Sequence, residues 1–276
     1  GYPSARIKQM IGSADLKHVV TRTHLTDRFP NVETTCIDDE ILSTAASGDR
    51  KQLHDENDPI QTIFASGSTG QPRAAFVDHR DFENLLRWYS IELEMGPGDR
   101  TLIISSPSFD LTQKNFFAPL ITGGTLILDD CPTHDISRIS TLIRKLDVTL
   151  IHCPPSVFYP LVDAAAEDSY VPLSSLRFAV LGGEPVSIRR LCSWLEHPNC
   201  HAKVVNSYGP TECTDICAYH RLHRGNLDGH PFVPLGREIP NVELGIVDDP
   251  LDPSPAAEPN GIRDFLSSRL PSPVFQ

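Results

Sequence analysis

The 276-residue sequence lacks several features that would each assign it to a class of protein. No apolar run approaches the roughly eighteen residues that a membrane-spanning helix needs. The net charge of −12 has the wrong sign for the backbone phosphates of nucleic acids and for anionic lipid surfaces. Neither the Walker A pattern G-x-x-x-x-G-K-[ST] nor the dinucleotide fingerprint G-x-G-x-x-G occurs in the chain. We therefore expect no nucleic-acid partner and no membrane partner.

Cysteine pairs at C-x-x-C spacing are also lacking, although the chain has seven cysteines. Cys213, Cys217 and His220 are close in sequence, but they have neither that spacing nor a fourth ligand, so no zinc site is predicted. An odd number of scattered cysteines favours reduced thiols over a disulfide framework. We accordingly expect a cytoplasmic protein.

Hydrophobic periodicity alternates between strand-like and helix-like segments along the chain. The first twenty residues read as a loop, a helix and then a strand. Short apolar runs predict buried strands at residues 62–65, 101–106, 125–128, 149–153, 177–181 and 203–206. Amphipathic segments at 81–95, with Asp81 as its cap, and at 135–146 predict helices between them. This alternation predicts a doubly wound α/β fold with parallel or mixed sheets flanked by helices.

Two segments do not follow the alternation. Residues 43–59 are polar and charged, which is typical of a solvated connector. Residues 249–276 are rich in proline and show no strand or helix period, so most of this tail is predicted to be disordered. The predicted organisation is one domain over residues 1–248 followed by the tail.

A short polar loop, ASGSTGQPRA at residues 65–74, follows the first predicted strand. Its glycines let backbone N–H groups converge on an anion, and Arg73 adds a permanent charge suited to phosphate oxygens. Taken alone, such a loop is more often a surface turn. Both interpretations stay open on this segment by itself.

Two further clusters lie at the ends of predicted strands. Phe109-Asp110 stands at a strand-to-helix junction, where a carboxylate caps the helix or faces a cleft. The segment NSYGPTE, residues 206–212, supplies an aromatic ring, hydroxyls and a carboxylate. Because open α/β sheets bind ligands outside the carboxyl ends of their strands, we expect these groups on the same rim as the polar loop.

Four motifs occur in the order SGSTGQPR, FD, LGGEP and NSYGPTE. In this order they resemble the adenylate-forming enzymes, and more closely the adenylation domains of nonribosomal peptide synthetases. The resemblance covers residues 1–248 and implies a partial large N-terminal domain of that fold. The family's ribose-binding carboxylate and the lysine of its small C-terminal domain have no counterpart here. We therefore expect an adenylation domain truncated at both ends and without the C-terminal domain.

The resemblance implies ATP and Mg²⁺ as ligands. The residues implied to bind the nucleotide are Ser66, Gly67, Ser68, Thr69 and Gly70 around the phosphates, with Gly182, Gly183, Asn206, Tyr208 and Gly209 around adenine. The residues with implied catalytic roles are Thr69, Arg73, Thr211 and Glu212, of which Glu212 would hold Mg²⁺. Arg73 stands where the family usually has lysine, so the positive charge is kept in a forked group.

The resemblance also implies an amino-acid substrate, with Asp110 as the partner of its α-ammonium group. The rest of the implied side-chain pocket comprises Leu111, Lys114, Ser156, Val180, Gly182, Ser207, Asp215 and Ile216. Lys114 and Asp215 either pair with each other and fill space, or Lys114 faces the substrate and favours a carboxylate or amide. The second alternative predicts a polar or glutamate-like amino acid.

The implied activity is ATP-dependent formation of aminoacyl-AMP, with transfer to phosphopantetheine on a carrier-protein domain expected in the same polypeptide. Two alternatives stay open. An acyl- or aryl-CoA ligase is the first, although Asp110 argues against it because such substrates carry no α-ammonium group. A non-catalytic nucleotide-binding remnant is the second, and the missing ribose carboxylate and lysine favour it.

Overall fold

The computed structural model describes residues 3–38, 55–66, 72–129, 135–223, 233–246 and 264–267, with backbone alone for residues 65, 66, 72, 73, 246 and 264–267. The chain forms two compact units, Gly1–Asp78 and His79–Gln276. Four predicted phosphate-loop residues, Gly67, Ser68, Thr69 and Gly70, lie outside the described residues. Most of the polar connector and most of the tail also lie outside them.

The first unit contains a helix and two pairs of strands among its described residues. In chain order these elements are α1 (Ser4–Ser13), β1 (His18–Thr21), β2 (Glu33–Cys36), β3 (Pro59–Ser66) and β4 (Pro72–Asp78). β1 and β2 are parallel and are connected through a 3₁₀ helix, whereas β3 and β4 form an antiparallel hairpin. The predicted helix and following strand at the start of the chain are confirmed.

The second unit is built on a mixed sheet. Its strands are β5 (Arg100–Leu102), β6 (Thr125–Ile127), β7 (Leu150–Cys153), β8 (Phe178–Gly182), β9 (Lys203–Tyr208), β10 (Ala218–Leu222) and β11 (Arg237–Glu238). Their spatial order is β11-β10-β9-β8-β7-β5-β6. The run from β6 to β9 is parallel, and β10 pairs antiparallel with both of its neighbours. A separate antiparallel pair consists of β12 (Glu243–Ile246) and β13 (Asp264–Ser267).

Helices cover both faces of this sheet. They are α2 (His79–Glu92), α3 (Asp110–Ile121), α4 (Ile136–Lys145), α5 (Pro155–Ala166) and α6 (Ile188–Leu195). On one face, Ile143, Leu161 and Trp194 of α4, α5 and α6 pack against Ile151 and Leu181 of the central strands. On the other face, α3 contacts β5, β6 and β7, and α2 packs against α3. Because β7 and β8 are buried on both faces, they are apolar, apart from His152 of β7, rather than alternating.

The predicted fold class is confirmed, and a strand of the structure overlaps each of the six predicted strands. The strand predicted for 101–106 is shorter and ends at Leu102. The hydroxyl of Thr112 donates to the carbonyl of Ser106 at 2.8 Å. The same hydroxyl lies 2.8 Å from the hydroxyl of Ser105. These local bonds direct the chain out of the sheet and into α3.

The helix predicted for 135–146 is α4, and its cap is the carboxylate of Asp135, which accepts from the N–H of Arg138 at 3.0 Å. The helix predicted for 81–95 instead begins at His79. Asp81 therefore lies in the first turn and is not the cap, which corrects the prediction. A carboxylate in the first turn still interacts favourably with the helix dipole.

In the tail, which was predicted to have no strand period, the residues that the structure describes form a strand. Residues 264–267 form β13, which pairs with β12 from the other side of the predicted boundary at residue 248. A strand this short acquires its structure from its partner, so periodicity in the tail did not reveal it. The domain boundary itself stays a prediction. Over the described residues, no helix combines the length and the apolar character that crossing a bilayer requires.

Candidate active site

The predicted site residues of the second unit gather where α3 begins and where β8 and β9 end. Asp110 is the first residue of α3, Gly182 is the last residue of β8, and Tyr208 is the last residue of β9. β8 and β9 are adjacent and parallel, so their carboxyl ends share one edge of the sheet. This is the edge at which open α/β sheets bind ligands.

Both carboxylate oxygens of Asp110 accept hydrogen bonds. Oδ1 accepts from the N–H of Leu111 at 2.7 Å, and Oδ2 accepts from the hydroxyl of Thr211. The N-cap of α3 is Phe109, so Asp110 lies within the first turn. Its half-buried carboxylate is held against the 3₁₀ turn that Thr211 begins. Two motifs that are far apart in sequence are thereby joined.

Lys114 and Asp215 form a buried ion pair beside Asp110. The ammonium of Lys114 donates to Oδ2 of Asp215 and to the carbonyl of Leu111, the latter at 2.8 Å. Burial lowers the pKa of Lys114 and raises the pKa of Asp215, and the charge of each partner opposes the shift of the other. Charged or neutral, the pair sums to zero charge. The first of the two sequence alternatives for these residues, pairing with each other, is therefore the one observed.

The backbone before Asp215 adopts an uncommon conformation that directs this residue inward. Thr214 and Asp215 have φ values of 60° and 76°, both in the left-handed region. Such a conformation costs a β-branched residue like Thr214 about 1–3 kcal/mol, and surrounding contacts must compensate for it. One such contact is the bond from the N–H of Cys217 to the carbonyl of Tyr208 at 2.8 Å.

Two buried polar residues near this pair were missed at the sequence level. The hydroxyl of Tyr89 donates to Oδ1 of Asn115 at 2.7 Å, and the amide of Asn115 donates to the carbonyl of Leu111 at 2.7 Å. The ammonium of Lys114 lies 5.2 Å from the centre of the Tyr89 ring. Burial, with a smaller effect of the Asp215 charge, raises the pKa of Tyr89 well above its usual value. Asn115 is four residues after Leu111, a helical spacing that would have placed it on the same face of α3.

Val180, Gly182 and Ser207 line the same face of the sheet next to the ion pair. Val180 and Ser207 are buried, and the register places Gly182 opposite Ser207. A Cβ at Gly182 would lie 2.5 Å from Oγ of Ser207 and 3.4 Å from Nε2 of His152. A side chain at this position would therefore displace the hydroxyl of Ser207, and glycine avoids that contact.

The segment NSYGPTE is shaped by a second close approach. A Cβ at Gly209 would lie 2.1 Å from the carbonyl oxygen of Asp215, so only glycine fits. Asn206 is buried at the end of β9, and its amide donates to the carbonyl of Pro234 at 2.9 Å. That bond leaves the amide oxygen of Asn206 as the group able to accept a hydrogen bond from a ligand. Gly183 is exposed with φ of 78°, at the turn that follows β8.

Ser156 and Ile216, two further residues of the predicted side-chain pocket, differ in their exposure. Ser156 is exposed, and both its N–H and its hydroxyl donate to the carboxylate of Glu184, at 2.9 and 2.8 Å. Glu184 belongs to the LGGEP motif, so this bond links α5 to the end of β8. Ile216 is fully buried after the Asp215 turn, and Leu111 is buried on α3.

Glu212 is the residue predicted to hold Mg²⁺. It is exposed in the 3₁₀ turn Thr211–Cys213, and it makes no hydrogen bond or ion pair in the parts of the chain that the structure describes. A single accessible carboxylate fits Mg²⁺, which retains water and shares its remaining positions with phosphates. Burial and the charges of Glu212 and Asp81 raise the pKa of the neighbouring Cys213 to about 11.

The predicted phosphate loop belongs to the first unit and connects the two strands of the β3–β4 hairpin. The register places Ser66 opposite Pro72, so the loop closes at its base between these residues. Arg73 is paired with Ala65 within the hairpin backbone. The side chains of Ser66 and Arg73 and the loop residues Gly67, Ser68, Thr69 and Gly70 are not among the described features, and their roles stay predictions.

A surface groove of about 890 Å³ opens elsewhere on the second unit. It is bordered by Trp88 and Ile91 of α2, by Tyr219 of β10 and by residues 237–242. The hydroxyl of Tyr219 accepts from Arg237 at 2.6 Å and donates to Glu92 at 2.9 Å. None of the residues that border this groove is a predicted site residue. The candidate active site therefore remains the edge formed by α3, β8 and β9.

Comparison with known proteins identifies the family of this chain. The family model described as AMP-binding enzyme matches residues 1–262, so the chain belongs to this family. The match extends beyond the predicted boundary at residue 248.

Curated relatives are nonribosomal peptide synthetases and a carrier-protein ligase. Tyrocidine synthase 3 of Brevibacillus parabrevis is 29% identical over 250 residues, which is 89% of this chain and 4% of that protein. The L-proline--[L-prolyl-carrier protein] ligase of Streptomyces coelicolor is 32% identical over 190 residues, covering 68% of this chain and 35% of that protein. The chain thus spans a small part of the relatives that it matches.

Solved structures give the same result. The nonribosomal peptide synthetase FmoA3 in its alpha-methyl-L-serine-AMP bound form has a TM-score of 0.81 and 26% identity, over 92% of this chain and 28% of that chain. The N-terminal subdomain of Klebsiella oxytoca NpsA in complex with 3-hydroxybenzoyl-AMSN has a TM-score of 0.77 and 20% identity, over 94% of this chain and 64% of that chain. The second likeness shows the fold alone.

Proposed function

We propose that the protein uses ATP to activate an amino acid as aminoacyl-AMP. The observation that supports this proposal best is the position of Asp110. Its half-buried carboxylate lies in a cluster with Lys114 and Asp215, whose charges cancel. Asp110 therefore supplies the net negative charge of the cluster, and the α-ammonium group of an amino acid would balance it.

In the proposed mechanism, the carboxylate of Asp110 binds the substrate ammonium while the Thr211 hydroxyl fixes the orientation of that carboxylate. A carboxylate oxygen of the amino acid attacks the α-phosphorus of ATP. The bond from this phosphorus to the oxygen that bridges to the β-phosphate breaks, and pyrophosphate leaves with the electron pair. Catalysis of this step depends on positioning and on neutralising phosphate charge.

The nucleotide would be held by residues of the motifs. Tyr208 would stack on adenine, the free amide oxygen of Asn206 would accept from its exocyclic amine, and Gly182 and Gly183 would form the floor. Membership of the AMP-binding family supports ATP as the nucleotide. By the resemblance, the motif of residues 66–73 would enclose the β- and γ-phosphates, with Arg73 adding positive charge.

We place Mg²⁺ on Glu212, next to Thr211. When bound, the ion supplies positive charge that neutralises phosphate oxygens. The exposure of Glu212 supports this assignment, because its carboxylate is accessible to a ligand from solvent.

The proposed substrate is an amino acid with an uncharged side chain. The glutamate-like alternative depended on Lys114 facing the substrate. Since Lys114 donates instead to Asp215 and to the carbonyl of Leu111, its charge is neutralised within the protein. These contacts favour an uncharged side chain over a carboxylate.

We further propose that the aminoacyl group passes to the phosphopantetheine thiol of a carrier-protein domain. The thiol sulfur attacks the acyl carbon, the bond from this carbon to AMP breaks, and the thiol proton passes to solvent. The names of the relatives, which are peptide synthases and a carrier-protein ligase, support this step.

The test is substrate-dependent exchange of labelled pyrophosphate into ATP by the full-length protein. We expect exchange with a narrow set of amino acids and none with fatty or aryl acids, which lack the α-ammonium group. Exchange with fatty or aryl acids alone would replace the proposal with the acyl-ligase alternative. Calorimetric ATP binding without exchange on any acid would favour a non-catalytic nucleotide-binding protein.

A further inference from the structure

The surface groove between α2 and residues 237–242 takes no part in the proposed reaction. Its volume of about 890 Å³ lies within the range of about 300–1,000 Å³ that is usual for ligand pockets. Trp88, Ile91 and Tyr219 border it, and the centres of the Trp88 and Tyr219 rings are 4.8 Å apart. Ile91 is 67% exposed. The groove therefore presents an aromatic and apolar lining to a partner.

Trp88 supplies a second, independent observation. Its side chain is 5% exposed, and its indole N–H has no hydrogen-bond partner among the residues that the structure describes. The N–H of a buried tryptophan usually has a partner, and an indole can only donate. The groove thus offers a hydrogen-bond donor to a ligand that carries a free acceptor, such as a backbone carbonyl.

The strand β13 ends at the rim of this groove. β12 and β13 are antiparallel, and their register pairs Glu243 with Ser267, the last residue of β13. The residue before Glu243 is Val242, which borders the groove. β13 therefore runs toward the groove. The nine residues 268–276 follow it, and in a polyproline II conformation they would span about 28 Å.

The nine residues after β13 have the sequence SRLPSPVFQ. Pro271 and Pro273 favour the polyproline II conformation, whose carbonyl groups make no internal hydrogen bonds and are free to accept. Leu270, Val274 and Phe275 add apolar side chains. Proline-rich segments bind grooves lined by aromatic residues, because their conformation is largely formed before they bind. The segment that follows β13 therefore matches the groove in chemistry.

We propose that residues 268–276 bind in this groove as a polyproline II segment of the same chain. A backbone carbonyl of the segment accepts from the indole N–H of Trp88, and apolar side chains of the segment cover Ile91 and Tyr219. The contact ties the chain that follows β13 to α2. The groove is thus an intramolecular docking surface rather than a second substrate site.

The first test observes the indole N–H signals of the ¹⁵N-labelled 276-residue chain. Its two tryptophans are Trp88 and Trp194, and the signal that disappears in Trp88→Phe belongs to Trp88. The N–H of Trp194 also has no partner among the described residues, but its ring is fully buried in the core, so it is the matched reference. Leu270→Asp should shift the Trp88 signal and leave that of Trp194 in place. Leu251→Asp, the same change elsewhere in the tail, should shift neither.

The second test changes the groove instead of the segment. Trypsin cleaves after Arg269, and binding in the groove protects that bond. Ile91→Asp places a charge in the apolar lining and should speed this cleavage about tenfold, as read by mass spectrometry of the products. Phe76→Asp is the control, because Phe76 is 63% exposed but does not border the groove. It should leave the cleavage rate unchanged.

A shifted Trp88 signal in Leu270→Asp, together with faster cleavage of Ile91→Asp, is the expected result. An unchanged Trp88 signal, or equal cleavage of Ile91→Asp and the parent, would overturn the inference. Protection that occurs only at high protein concentration would also overturn it, because the segment would then bind the groove of a second copy. Pyrophosphate exchange enters neither test, so the proposed function stands or fails separately.

Discussion

Lys114 and Asp215 are 101 positions apart in the sequence, and they meet in a buried ion pair that joins α3 to the loop after β9. Lys114 is fully buried, and its second hydrogen bond goes to the carbonyl of Leu111 within its own helix. The pair fixes the geometry beside Asp110 while adding no net charge. Because the charges of Lys114 and Asp215 balance each other, the negative charge of Asp110 can attract a cation.

The ion pair predicts strong coupling between its members. Lys114→Met or Asp215→Leu alone should lower the free energy of unfolding by about 3–5 kcal/mol, because each leaves one buried charge unpaired. The double variant should cost much less than the sum. Urea denaturation of the four proteins gives the coupling energy, and additive effects would show that the pair does not form.

Asp110 is expected to be required for activation of amino acids. Asp110→Asn keeps the size of the side chain but removes its charge, and should lower kcat/KM for the amino acid about 100- to 1,000-fold. Thr211→Val removes only the hydroxyl that orients Asp110 and should cost about tenfold. Pyrophosphate exchange measures both variants. Full activity of Asp110→Asn would exclude Asp110 as the partner of the substrate ammonium.

Cys213 is expected to make stability depend on alkaline pH. Its pKa in the folded protein is raised to about 11, from a value of 9.0 for an unperturbed thiol. The folded state therefore holds this proton more tightly, and the resulting stabilisation is complete below about pH 9 and is lost as pH rises through about 11. Between pH 8 and 11, urea denaturation should show a smaller loss of stability in Cys213→Ala than in the parent.

Glu212 provides the control for that result. Its charge is the second cause of the raised pKa, after burial. Glu212→Gln should therefore lower the pKa of Cys213 and speed its alkylation by iodoacetamide at a fixed pH, as read by mass spectrometry of the labelled peptide. Unchanged alkylation would mean that Glu212 does not face Cys213.

Gly209 is expected to tolerate no side chain. In Gly209→Ala the new Cβ would lie 2.1 Å from the carbonyl oxygen of Asp215 and 2.9 Å from the nitrogen of Cys217. Both atoms belong to the backbone, so the turn must shift, at a cost of about 1–3 kcal/mol and with weaker ATP binding. Gly98→Ala is the control, since a Cβ there has no neighbour within 4 Å. Equal stability and equal ATP affinity of the two variants would contradict this prediction.

The order and type of the main elements could be predicted from local patterns in the sequence. Apolar runs such as residues 150–153 and 178–181 form strands that are buried on both faces of the sheet. Such runs can be recognised from a few consecutive residues. The motifs also placed Asp110 at the start of a helix and Asn206 to Glu212 after a strand. These features depend on residues that are close together in the sequence, so a local pattern is enough to predict them.

The choice between the two alternatives for Lys114 could not be predicted from such patterns and required the folded structure. The choice depends on a partner in a different element, brought close by the packing of α3 against the sheet. The same holds for the hydrogen bond between Tyr89 of α2 and Asn115 of α3. It holds for β13, whose four residues form a strand through pairing with β12. Contacts between distant segments depend on the register and packing of whole elements, and a local pattern carries no information about them.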